Sequence, residues 1–278
     1  MGDLLMLNPV LQRLHADYPR LEMTLFCEPQ FMSLMEGLEW LRVRPTEDFA
    51  GRQYQYDAHV DLNYYVERSG LRLEVDRVSL FGAAFGMVMK QGRPIYRVHA
   101  EEREWARQWL VTEEIPEGPV VGLAPWATDP RRTWTPDYTR ELCERVAAFG
   151  GTTLVFHHSV QIGSLLPLGP RTRLVSGLEL RKVAALLQQC RAVVSVDTGI
   201  YHLASAVQEQ ARPFLVLVWG MWAPRLRTKW MSNYHAITAP SSLACFPCNE
   251  TTHGCDRQCM DISAERVWQE GLLPLLAA

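Results

Sequence analysis

Hydrophobic and polar positions along this chain follow two periods, and they are clearest in its second half. Val120–Ala124, Thr152–Phe156, Ala192–Val196 and Phe214–Val218 are short, nearly unbroken apolar runs, as expected for strands buried on both faces. Between them, Pro136–Phe149, Leu180–Gln189 and Ile200–Val207 carry the helical period, and Gly150-Gly151 stops the first of these helices. Ala264–Leu276 predicts a closing helix. The first half repeats the alternation more faintly. Leu4–Ala16 predicts a turn and helix with Pro9 at a first helical position, Glu22–Cys27 a short strand and Pro29–Met35 a helix. His59–Asn63 predicts another strand, Leu71–Phe85 a helix and Glu101–Leu110 an amphipathic helix. A Pro-Glu-Gly-Pro turn at 116–119 closes this half. Strands alternating with helices predict α/β architecture with parallel sheets, divided into a smaller domain over 1–115 and a Rossmann-like domain over 116–278.

Composition narrows the class. With 278 residues, 47% hydrophobic and 21% charged, the chain can bury a large core. A net charge of −3 makes the whole chain no magnet for nucleic acid or acidic membrane. Its apolar runs stay short of the ~18 residues of a spanning helix, and no signal-peptide pattern opens the chain, so a cytoplasmic location is expected.

The densest chemistry lies at Val193-Val194-Ser195-Val196-Asp197-Thr198-Gly199-Ile200-Tyr201-His202. A strand feeds straight into a helix N-terminus, whose unpaired N–H groups and roughly half positive charge suit a phosphate. Thr198 can add a hydroxyl, and Gly199 permits close approach. His202 stands one turn on and can face the same ligand. Asp197 suits a sugar hydroxyl or the helix's own N–H groups as a cap. The segment reads as a nucleotide-diphosphate-sugar site.

Four of the seven cysteines, Cys245, Cys248, Cys255 and Cys259, crowd the tail at 245–259 with spacings of two, six and three residues. Four thiolates there would close on one structural ion, Zn²⁺ or a mononuclear iron, with His253 as an alternative ligand; free thiols or a disulfide are the other readings. Cys27, Cys143 and Cys190 fall on strand or helix faces as core residues. Trp126, Trp134, Trp219 and Trp222 fall in loops at strand ends, where a sugar or base can stack.

Four segments in order resemble glycosyltransferase family 9, the heptosyltransferases of the lipopolysaccharide inner core. Gly2-Asp3-Leu4-Leu5-Met6 with Pro9 resembles the family's Gly-Asp loop. Ala124-Pro125-Trp126 through Arg131-Arg132-Thr133-Trp134-Thr135-Pro136 resembles its basic-Trp-Pro loop. Asp197-Thr198-Gly199 with His202-Leu203-Ala204 resembles its Asp-Ser/Thr-Gly-x-x-His motif, and the cysteine-bearing tail occurs in many members. The chain departs from the family at two places. Met1 stands directly against Gly2 where relatives have a first strand, so that strand is expected to be missing, through a truncated chain, a misassigned start or its loss from the sheet. The loop after the last strand reads Trp219-Gly220-Met221-Trp222-Ala223-Pro224-Arg225 where Gly-Pro-Thr-x-Pro is usual, which bears on how the nucleotide base sits.

The resemblance implies a GT-B fold, two Rossmann-like domains facing across a cleft, with the acceptor side at 1–115. It implies an inverting transfer, without catalytic metal, of a heptose-like sugar from a nucleotide-diphosphate donor such as ADP-heptose. The acceptor would be a hydroxyl of lipopolysaccharide core, polysaccharide or protein, with room for peripheral contact with the inner membrane. Asp3 would be the general base. Arg132, in place of a family Lys, or its neighbour Arg131 would hold the diphosphate with Thr198, Gly199 and His202, and Asp197 a sugar hydroxyl. Two other classes fit less of the chain: a GT-B nucleotide-sugar epimerase, and a non-catalytic metal-knuckle module. The tail from Cys245 to Cys259 holds Arg257 as its single basic residue, a poor nucleic-acid surface.

Overall fold

The computed structural model describes residues 1–208, 213–240, 242–248 and 255–278. They form two compact units, Met1–Arg97 with Arg225–Trp230, and Val98–Pro224 with Met231–Ala278.

The first unit runs α1 (Gly2–Asp17), β1 (Met23–Cys27), β2 (Leu41–Pro45), α2 (Tyr65–Arg68) and α3 (Arg77–Ala84). β1 and β2 pair in parallel with Met23 opposite Leu41, and they make up the whole of its sheet among the described residues. Met6, Val10 and Leu11 of α1 meet Met35, Val66, Val78 and Phe81 in the core. Three expectations are corrected here. Pro9 lies inside α1, not at its start, where a ring without an N–H costs about 3 kcal/mol. Every residue from Leu5 to Leu11 is buried, and that packing holds the helix continuous. His59–Asn63 is no strand: the Asn63 N–H donates to Asp61 Oδ1 at 2.9 Å, a local turn that competes with pairing. Pro29–Met35 winds as a 3₁₀ helix.

Asp76 caps α3, accepting from the Ser79 N–H at 3.0 Å. Its buried carboxylate also takes Lys229 Nζ at 2.8 Å and Trp230 Nε1 at 2.7 Å, which fastens 225–230 to this unit. Burial alone would raise its pKa; the bonds from Lys229, Ser79 and Trp230 outweigh that and hold it below the usual carboxylate value.

The second unit opens with α4 (Ala100–Thr112) and contains β3 (Val120–Ala124), α5 (Pro136–Ala148), β4 (Thr152–Phe156), β5 (Thr172–Val175), α6 (Leu180–Gln189), β6 (Ala192–Ser195), α7 (Gly199–Ala206), β7 (Phe214–Trp219) and β8 (Tyr234–Thr238). Its six strands are all parallel, in the order β5-β4-β3-β6-β7-β8. That is the Rossmann order, and its reversal falls between β3 and β6. Val121, Leu123, Leu154, Val193, Val194, Leu215 and Leu217 are fully buried, as their unbroken apolar runs predict. The closing helix over 264–277 carries a π segment at Val267–Leu272. Among the described residues no helix is long and apolar enough to cross a membrane.

Candidate functional site

The loops leaving β3 and β6 emerge side by side at the reversal point, where open α/β sheets receive ligands. After β3 the chain makes a short basic loop. Asp129 caps the 3₁₀ turn Pro130–Arg132, the Ala127 N–H donates to Thr133 Oγ1 at 3.2 Å, and the Trp134 N–H returns to the Pro125 carbonyl at 2.8 Å. Trp134 is fully buried, with its indole donating to the Ile262 carbonyl at 2.7 Å. Tyr138 donates to Asp261 Oδ1 at 2.7 Å, and Arg257 Nη1 to the Pro130 carbonyl at 3.2 Å. The segment from Arg257 to Ile262 is thereby bonded to the basic loop and to the first turn of α5.

After β6 the chain enters α7 with Thr198 at the N-cap, and the Thr198 side chain makes no capping hydrogen bond. Arg132 reaches across from the basic loop: its Nη1 donates to the Asp197 carbonyl at 3.2 Å and to Asp197 Oδ2 at 3.4 Å. Asp197 and His202 are both buried, with His202 Nε2 4.0 Å from Asp197 Oδ1. Arg132, Asp197, Thr198, Gly199 and His202 thus gather at one place, a guanidinium and a helix N-terminus with a buried His one turn on. Such a group can hold a diphosphate and stabilise charge that develops on it.

The two arginines part company. Arg131 turns back to Asp129, with Nε at 3.0 Å from Oδ1 and Nη2 at 2.7 Å from Oδ2. The Asp129 carboxyl is held low chiefly by that guanidinium. Of the four loop tryptophans, Trp134, Trp219 and Trp222 are buried and serve packing. Trp126 stays half-exposed, edge-on to His157 with ring centroids 5.6 Å apart. His157 was not singled out from sequence; its place just past the end of β4 is the signal that points to it.

Asp3 belongs to the first unit. It sits in the first turn of α1, so the Gly2-Asp3 segment is helical, not a loop. Its side chain is 58% exposed and accepts from Arg77 Nη1 at 2.6 Å, a nitrogen shared with Glu67 at 3.0 Å. No sequence signal links Arg77 to Asp3 across 74 positions.

Cys245, Cys248, Cys255 and Cys259 line one small cavity with Arg131, Met221 and Gly220. A side chain at Gly220 would sit 2.6 Å from the Cys259 carbonyl oxygen, so glycine lets the tail approach, and the Cys248 N–H donates to the Met221 carbonyl at 2.7 Å. Burial first, then the neighbouring thiols of Cys255, Cys245 and Cys248, push the Cys259 thiol up to about 11. The Arg257 N–H donates to Cys255 Sγ at 3.4 Å. All seven cysteines are free of disulfides. Among the described residues no three Cys, His, Asp or Glu side chains stand as a preassembled ligand set. In type and number the four thiols fit Zn²⁺ or iron, and such ligands commonly close only on binding. His253 and Gly254 lie outside the described residues. Cys27, Cys143 and Cys190 are buried core, and burial pushes the last two thiols up to about 12.

The sequence model of glycosyltransferase family 9 (heptosyltransferase) matches residues 52–253. The chain belongs to glycosyltransferase family 9. No curated protein matches its sequence. Among solved structures, ADP-heptose lipopolysaccharide heptosyltransferase II of E. coli matches with a TM-score of 0.74 at 18% identity, covering 99% of this chain and 96% of the other. A glycosyltransferase family 9 protein of Veillonella parvula matches with a TM-score of 0.70 at 14% identity, covering 100% and 95%. The iron-containing dodecameric glycosyltransferase TibC of enterotoxigenic E. coli gives 0.72 at 17% identity, covering 99% and 75%. This family 9 glycosyltransferase therefore shares the GT-B fold of the heptosyltransferases.

Proposed function

We propose that this glycosyltransferase moves a heptose-like sugar, with inversion, from ADP-heptose to a hydroxyl of a cytoplasmic acceptor: lipopolysaccharide core, another glycan, or a protein. The observation that carries the reading is the meeting of Arg132 with Asp197 beside the start of α7. The acceptor oxygen attacks the anomeric carbon from the face opposite the diphosphate. Its proton passes to the Asp3 carboxylate as the bond to the phosphate oxygen breaks, and ADP leaves. Negative charge grows on the departing phosphate, and Arg132, the α7 N–H groups, Thr198 and His202 stabilise it. Asp197 orients Arg132 and is available to a sugar hydroxyl. The scheme places no metal on the reacting atoms.

A closed metal centre at Cys245, Cys248, Cys255 and Cys259 belongs to the same proposal, as a structural element. Their shared cavity and the N–H donated to Cys255 Sγ support it, as does the iron-containing relative of the same fold. Thiolates fully surrounding an ion leave no position for substrate.

Calorimetric titration with ADP, UDP and GDP tests the donor site. ADP should bind preferentially, and His202→Ala should weaken it about tenfold, the loss of one hydrogen bond to a charged group. Equal indifference to all three nucleotides would contradict the reading. Donor isomerised without any acceptor would replace it with an epimerase.

A further inference from the structure

We propose that Arg131 belongs to the cysteine centre and not to the donor site, as the counter-cation that lets four thiolates and their ion remain together beside the basic loop. The inference rests on the metal reading above and deepens it.

Sequence alone leaves Arg131 and Arg132 interchangeable. The structure separates them: Arg132 faces Asp197, whereas Arg131 borders the cavity of Cys245, Cys248, Cys255 and Cys259. Among the described residues lining that cavity, Arg131 is the one cationic side chain. Four thiolates around a divalent ion leave a net negative centre in a partly dry place, where a nearby cation is worth more than in water. Arg131 is also held still. Its Nε and Nη2 engage both oxygens of Asp129, which caps the same turn, and its own N–H donates to Asp129 Oδ1 at 3.0 Å. The next carbonyl back, Pro130, is gripped by Arg257 from within the cysteine tail. Charge and backbone on this turn are therefore both fixed relative to the tail. Residues that support metal ligands in this way typically tune affinity without touching the ion.

Competition between the folded protein and a chromophoric chelator for Zn²⁺, a redox-inert probe, tests the assignment. Arg131→Gln should weaken Zn²⁺ retention about ten- to hundredfold. Arg131→Lys, which restores the charge, should recover most of it, and ADP affinity should stay at the wild-type level in both. Arg132→Gln should show the reverse, losing ADP and keeping Zn²⁺. Wild-type Zn²⁺ retention in Arg131→Gln, or equal losses in the Gln and Lys variants, would overturn the role of its charge. Wild-type protein that takes up neither Zn²⁺ nor iron would overturn the centre itself, and this assignment with it.

Discussion

The two units hold the groups of the proposed reaction in opposite ways. In the second unit Asp197 and His202 are buried at the end of a six-stranded parallel sheet, and Arg132 is brought to them by a loop bonded at several points. In the first, Asp3 rides more than half exposed on the opening turn of α1, beside a two-stranded sheet, and Arg77 is what holds it. Groups that must grip a diphosphate gain from a dry, rigid place. A general base must meet an incoming hydroxyl, and an exposed carboxylate can do so.

Breaking each side should therefore give a different signature. Asp3→Asn keeps the shape but removes the base, so turnover should fall by about 10²–10⁴ while ADP binding is unchanged, measured by donor consumption with acceptor present. Arg132→Ala removes a charge-assisted contact of about 1.5–3 kcal/mol, so ADP should bind about 10- to 100-fold more weakly by calorimetry. Asp76→Asn should destabilise the first unit by about 1–3 kcal/mol in urea unfolding and leave ADP affinity in place. Because the folded-state pKa of Asp76 is depressed, its contribution is full above the ordinary value of 3.8 and is lost as pH falls below it through the lower folded-state value. Trp126→Ala should have the smallest effect, about three- to tenfold on ADP or donor affinity, if the half-exposed ring stacks on ligand.

The same contrast governs what could be read from residues. β3, β4, β6 and β7 were legible because strands buried on both faces leave unbroken apolar runs such as Val120–Ala124. The edge strands β5 and β8 were not, since Thr-Arg-Leu-Val and Tyr-His-Ala-Ile-Thr mix polar residues into a half-covered position. β2 likewise hides in Leu-Arg-Val-Arg-Pro, an edge strand that can end in proline because no partner needs its N–H. The proposed donor residues were legible because they cluster on one strand-to-helix junction and one loop. The bonds that fix them were not: Trp134 to Ile262 spans 128 positions, and Arg132 to Asp197 spans 65. Tertiary pairing at that distance leaves no periodic trace. It also separated Arg131 from Arg132, which look alike as neighbours in a row.

One calorimetric series, titrating ADP into wild type, Arg132→Ala and Asp3→Asn, tests the division of labour most directly. The account predicts tight binding to wild type and to Asp3→Asn, with binding to Arg132→Ala weakened at least about tenfold. ADP binding that is indifferent to Arg132, or that is lost with Asp3, would contradict it.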